Sequence, residues 1–318
     1  MAVKSELWEY FMSHTSSRRS LKGSVQSFIG FTCNVDDELC DIILRRVRDS
    51  ELSFNEAVRA CFDATNKKLN FPYRLSVRNR ETALHEMGHA VDFVKCETVK
   101  SRAGGKGEHE TTTQLYLSTD HILSCGMTLD KILQSEMKEK ADVIYGELVR
   151  EFKEKVLVNF PEDVAERYFL NSERLIKDDT MKRKYRLPHF SRQEYITERE
   201  KIDKLRQRYT EMTLSYNDRY DMLKLRHTVL STAESMQFAL DNYTLSDVIC
   251  RYKNVRYLWS CHSTSYLRMS GYLGVEFFAN MFASLATKNE ADLRKVERLL
   301  PKSYSAFFEL IEHLKAAA

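Results

Sequence analysis

TALHEMGHAVDFV, Thr82 to Val94, decides how this chain is read. Asn79, a good N-cap residue, predicts a helix starting just upstream and running through this stretch. On that helix, His85-Glu86-Met87-Gly88-His89 places two imidazoles at i and i+4, one turn apart on one face. Both can reach a single Zn²⁺ at about 2.0 to 2.1 Å. Glu86 falls on the adjacent flank, where it can take a proton from a water whose pKa the metal lowers to about 7 and pass it to a leaving amine.

A catalytic zinc needs a third protein ligand and one open position. The 9 histidines of the chain are enough for the pentapeptide to arise by chance, so the third ligand matters. Glu276 is the best placed, because it lies in an otherwise apolar run, VEFFANMFASLAT from Val275 to Thr287, that reads as a buried helix. A lone buried carboxylate is costly unless a cation compensates it. The remaining histidines His14, His109, His121, His189, His227 and His313 show no metal spacing.

Outward from these two segments the chain is predominantly helical, with only 10 Gly and 4 Pro in 318 residues. Residues 1–66 read as an N-terminal segment of short helices, the last carrying Phe54, Val58 and Phe62 at helical spacing. Leu69 to Val77 is β-like, and Pro72 in it suits an edge strand. Ser101 to Thr113 reads as a loop by composition. Between about 129 and 243 lies a charged helical insertion. It begins with one long helix bearing Met137, Ala141, Ile144, Leu148, Phe152 and Val156 on a face; Pro161 opens a second, and a polar break follows at Lys177 to Pro188. Ser191 and Glu194 form a capping box before a third, with Ile202, Leu205, Tyr209 and Met212 on one face. Asn289 with Asp292 caps a later helix that Pro301 ends. The expected architecture is mainly α, of the α+β kind, with a catalytic domain over 67–318.

Lys+Arg 49 against Asp+Glu 46 leaves a charge of +3, which implies no pull toward nucleic acid. No stretch approaches the ~18 apolar residues of a membrane span, and the N-terminus lacks a signal-peptide core, so cytoplasmic synthesis is expected. The 7 cysteines are odd in number and contain no C-x-x-C pair, and they read as buried or free thiols in a reducing compartment.

HEMGHAVD (His85 to Asp92), SYLRMSGYLGVEFFANMF (Ser265 to Phe282) and NEADLRKVERLLPKSYSAFFELI (Asn289 to Ile311) together resemble the zincin-like metallopeptidase domains of the anthrax lethal factor type. They are similar also to the metallopeptidase-like domains of phage minor head proteins. The resemblance covers about residues 67–125 and 244–316. It implies one Zn²⁺ per chain on His85, His89 and Glu276, with Glu86 as general base and Tyr266 as the phenol that stabilises the oxyanion, a contact worth roughly 3 to 4 kcal/mol. Tyr272, one turn before Glu276, competes for that role. His262 matches a histidine of the phage pattern and is expected to line the cleft. Asp92, three residues past His89, is a further acceptor for a ligand's ring N–H. This chain departs from lethal factor between the ligands: His89 and Glu276 are 276 − 89 = 187 residues apart.

The expectation is a zinc endopeptidase of the gluzincin type, acting on a protein or peptide. The alternative is a phage-derived structural protein that keeps the fold without turnover, with phage or effector-system partners. An effector that shares the chemistry inside another cell differs only in destination.

Overall fold

The computed structural model describes residues 37–48, 50–55, 60–72, 80–102, 108–184, 191–256 and 258–316, together with residues 6, 9, 13 and 35. The expectation for the N-terminal segment therefore lies largely outside the described residues.

From α1 (Asp37–Val47) the chain enters a three-stranded sheet, β1 (Glu51–Asn55), β2 (Cys61–Asp63) and β3 (Lys68–Pro72). The strand order is β1-β3-β2, with β1 parallel and β2 antiparallel to β3. This corrects two expectations. The Phe54–Phe62 stretch is strand at both its ends, because Leu52 and Phe54 alternate as well as they fit a helix, and pairing with β3 decides between the two periods. β3 is the middle strand, and it tolerates Pro72 because that residue is its last and lies beyond the three-residue ladder with β2.

α2 (Arg80–Asp92) carries the histidine pair and runs straight into the hairpin of β4 (Phe93–Arg102) and β5 (Glu108–Tyr116). Ser101–Thr113, expected as a loop, thus contributes to both strands. The register pairs Val99 with Thr111 and Thr98 with Thr112, so β-branched residues oppose one another across the ladder. A short α3 (Leu117–Asp120) leads into α4 (Leu129–Lys155), whose N-cap is the Thr128 side chain. Met137, Ala141, Ile144, Leu148 and Phe152 of α4 are buried on its inner face as their spacing predicts. This first helix of the 129–243 stretch is built into the core, packing on α14 (Pro301–Ala316), α10 (Tyr243–Tyr252) and α12 (Tyr272–Thr287).

The rest of that stretch is helical among its described residues: α5 (Glu162–Lys184), α6 (Arg192–Thr197), α7 (Arg199–Met212), α8 (Tyr216–Leu230) and α9 (Ala233–Asp241). Ser191 and Glu194 make the reciprocal capping box at the start of α6. α5 continues to Lys184, past the polar break expected at Lys177, because Asp178 is internally satisfied. It is buried, pairs with Arg219 and Lys182, and accepts from the Leu214 N–H at 3.0 Å. Those contacts also tie α8 to α5.

After α10, the short α11 (Thr264–Leu267) leads to α12, then α13 (Glu290–Leu299) and α14. Every residue from Leu273 to Ser284 is buried, so α12 is the central helix, apolar on all sides as an interior helix is. Two glycines let backbone come unusually close to it. A Cβ on Gly88 of α2 would stand 2.8 Å from Ala279 Cα, and one on Gly274 of α12 would stand 2.6 Å from Asp130 Cβ at the start of α4. Asp130 in turn accepts the Gly274 N–H at 2.9 Å. α12 is therefore seated between α2 and α4 with no freedom to shift.

Candidate metal centre

The close contact at Gly88 brings α12 against the face of α2 that carries both imidazoles. Across it, Glu276 Oε2 lies 3.2 Å from His85 Nε2, and Glu276 Oε1 lies 3.6 Å from His89 Nε2. The two Nε2 atoms are 3.0 Å apart. Residues 4 and 187 positions from His89 thus converge on one point.

Protonation can be worked out from the neighbours. Asn280, one turn after Glu276, donates its Nδ2–H to Asp247 at 3.2 Å, which turns its Oδ1 toward His85 Nδ1 at 2.8 Å. His85 therefore carries its proton on Nδ1 and presents the Nε2 lone pair to Glu276 and His89. Burial keeps His89 neutral, holding it at about 4, below the ordinary imidazole range. At His85 burial acts the same way, but the adjacent Glu276 carboxylate outweighs it and raises the ring. Glu276 is ionised: burial opposes this, and the surrounding His89, His85 and His262 rings hold the carboxyl below its usual range. Its Oε2 is buried and has no hydrogen-bond partner among the described residues.

Lone pairs from two imidazoles and a carboxylate meeting in a buried corner form a group that could hold a metal ion. Asp247, His262 and Glu276 form a second such group. Asp247 is already committed, accepting from His262 N at 2.7 Å, from His262 Nδ1 at 2.6 Å and from Asn280. That commitment of Asp247 favours the first group.

Glu86 projects beside this corner, held by the Phe62 N–H of β2, which donates to Oε2 at 2.8 Å. Burial raises it above the ordinary carboxylate range. Tyr266 donates its hydroxyl to Glu276 Oε1 at 2.6 Å. Its phenol is raised by burial first and by Glu276 next. Tyr272 makes an edge contact with the Tyr266 ring, centroids 4.9 Å apart. Of the two tyrosines, Tyr266 is the one that hydrogen-bonds Glu276. His262 stacks on Tyr266, and burial notwithstanding, Asp247 raises it to about 9. It faces the cleft as an imidazolium with 42% of its side chain exposed.

Asp92 stands elsewhere. Its carboxylate accepts the Ser118 N–H at 2.8 Å and the Ser118 hydroxyl at 2.6 Å, tying the end of α2 to α3. Its position one turn past His89 points it under the helix, and the acceptor for the His85 ring is Asn280. Asn280 was within reach of the sequence, since a polar residue one turn from Glu276 in an apolar helix invites the same question as Glu276 itself.

The cysteine expectation is corrected here. Cys250 at the end of α10 and Cys261 beside His262 form a disulfide with Cα atoms 6.8 Å apart. Their eleven-residue spacing follows no motif; the chain's return over α10 brings them together. Cys61, Cys96 and Cys125 are free thiols, Cys40 is buried, and Cys33 lies outside the described residues.

The corner opens into a cavity of about 700 Å³ whose walls include Glu86, His262, Tyr266, Arg226 and Arg256. Among the described residues no helix is long and apolar enough to cross a membrane. No family model matches the sequence, no curated protein matches it, and no solved structure matches it.

Proposed function

We propose that the chain is a zinc-dependent endopeptidase with a zincin-like catalytic domain. The observation that carries this reading is the meeting of His85, His89 and Glu276, whose Oε2 has no hydrogen-bond partner among the described residues, in the wall of an open cavity, with Glu86 beside them. Two imidazoles and one carboxylate match the donor set of a catalytic zinc, and the cavity leaves a position for water and substrate. When bound there, the metal would polarise the scissile carbonyl and lower the pKa of water.

The chain's own residues supply the rest. Glu86, raised by burial and held in place by the Phe62 N–H, is poised to take a proton and deliver it to the departing amine. His262, fixed at two points by Asp247, presents its remaining ring N–H over the opening, where a tetrahedral oxyanion would need donors; Tyr266 on α11 stands beside it with its hydroxyl donated to Glu276 Oε1, and would have to turn from there to serve as a second donor. The sequence resemblance to lethal factor-type domains supports the same assignment, and the conjunction of HExGH with a buried downstream glutamate is more specific than either alone.

Purified protein is expected to contain about one zinc per chain by elemental analysis, and Glu276→Ala to contain far less. Glu86→Gln should keep the metal and lose hydrolysis of a casein or peptide-library substrate by about 100-fold or more. Metal-free wild type, or full activity in Glu86→Gln, would overturn the assignment.

A further inference from the structure

Two guanidiniums reach the cavity from outside the metal group. Arg226 stands on α8, which Arg219 ties to α5, and Arg256 lies in the loop between α10 and α11. Arg226 is held in place: its Nη2 donates to the Arg256 carbonyl at 3.0 Å, while its Nε is buried with no hydrogen-bond partner among the described residues. Other partly buried cations are matched by carboxylates, Arg219 by Asp178 and Asp179 and Lys295 by Glu151, or spend several donors on neutral acceptors, as Arg251 does on the Leu267 carbonyl and the Gln134 amide. Here neither arginine has a carboxylate within ion-pair distance among the described residues, and the two face the same opening. Burial lowers the Arg226 guanidinium, Tyr168 opposes this, and the neighbouring Arg256 charge lowers it again. A half-buried charge beside a second one, with no carboxylate in ion-pair distance, is a standing cost that an incoming anion would relieve.

We propose that Arg226 and Arg256 form a carboxylate-binding subsite of the cleft, so that the peptides it takes carry an acidic side chain or a free C-terminal carboxylate beside the bond to be cleaved. This rests on the peptidase reading. Arginine suits the task because its planar fork meets a carboxylate with two parallel N–H donors. The remaining charges of the wall do not cancel the pair: Glu86 and Glu276 face the metal corner, and His262 is matched by Asp247. The helices expected as an insertion thus contribute a residue to the cleft through α8, and a role in substrate selection follows.

The test uses zinc-loaded Glu86→Gln protein, which holds peptides without turning them over, and three decapeptide pools identical but for charge. One has Glu at the varied positions and an amidated end, one has Gln and a free carboxylate, and one has Gln and an amidated end. Binding is read by fluorescence anisotropy. At least one carboxylate pool should bind about 10-fold or more tightly than the neutral pool, and whichever does so names the source. The advantage should fall below about 2-fold in Arg226→Gln/Arg256→Gln and persist in Lys204→Gln/Arg208→Gln, a control with the same loss of charge on exposed α7. Arg256→Gln alone, at an exposed position, guards against a folding defect and should lose part of the advantage. Equal binding of all three pools, or an advantage that survives in the arginine variants, overturns the subsite. Wild-type cleavage is scored separately. Acidic peptides bound but never cleaved would sink the peptidase reading and leave the subsite standing.

Discussion

Gly88→Ala tests the proposition that backbone contact between α2 and α12 builds the metal corner. The added methyl would meet Ala279 Cα at 2.8 Å, Ala279 O at 3.1 Å and Phe282 Cβ at 3.2 Å, none of which can rotate away. Carbon atoms settle at about 3.5 to 4.0 Å, so the helices must part by roughly 0.7 to 1 Å at this point. Overpacking of this kind costs about 1 to 3 kcal/mol, and the better helix propensity of Ala returns about 1, leaving a net loss of about 0 to 2 kcal/mol. The site is less forgiving. Glu276 lies one turn from Ala279, and ligand distances tolerate only about 0.2 Å, so zinc affinity should fall by about 10- to 100-fold. Competition with a chromophoric chelator measures the affinity, and urea unfolding of the metal-free protein measures stability. Gly146→Ala on α4 is the control, because a Cβ there meets nothing within 4 Å. It should stabilise by about 0.5 to 1 kcal/mol and leave zinc affinity unchanged. Affinity in Gly88→Ala within 2-fold of wild type would refute the reasoning.

Asn280→Ala removes the acceptor that holds the His85 ring and its tautomer, and zinc affinity should fall by about 10- to 100-fold by chelator competition; an unchanged affinity would show that His85 needs no such partner. Burial raises Asp92 to about 7, above the ordinary value near 3.9, so the native state keeps a proton that the unfolded chain releases first. Its contribution to stability is full below about pH 4 and is lost as pH rises through about 7. Asp92→Asn should flatten the decline in metal-free unfolding free energy across that window, and parallel pH profiles for the two proteins would contradict it. Reducing Cys250–Cys261 opens an eleven-residue loop that ends at the cleft, which should cost about 2 to 3 kcal/mol of stability by the chain-entropy estimate. Unfolding midpoints that are identical with and without reductant, in protein shown by mass to be oxidised, would rule that out.

What the sequence determined by itself was local. The i, i+4 spacing of His85 and His89, the apolar faces of α4 and α7, the Pro161, Ser191 and Asn289 helix starts and the buried character of α12 all follow from periods and caps within a few residues. Where local pattern alone was read, the sequence chose wrongly: residues 54 and 62 lie in strands, and 101–102 and 108–113 lie in two paired strands, because a strand is settled by the partner it pairs with, which no local window contains. Glu276 was legible because one charge in an apolar helix raises the question of its neutralisation.

The tertiary structure decided what depends on two distant segments meeting. Gly88 lets α12 approach until Glu276 faces the imidazoles, Asp247 reaches across from α10 to hold His262 and Asn280, and the chain's return after α10 joins Cys250 to Cys261. Arg226 and Arg256 carry no signal in a chain with 49 basic residues; only their arrival at one cavity, with no carboxylate in ion-pair distance among the described residues, sets them apart. Such features rest on contacts between residues from 11 positions apart, at Cys250 and Cys261, to 279 − 88 = 191 apart, at Gly88 and Ala279, and contact at that range is a product of packing, which sequence periodicity does not encode.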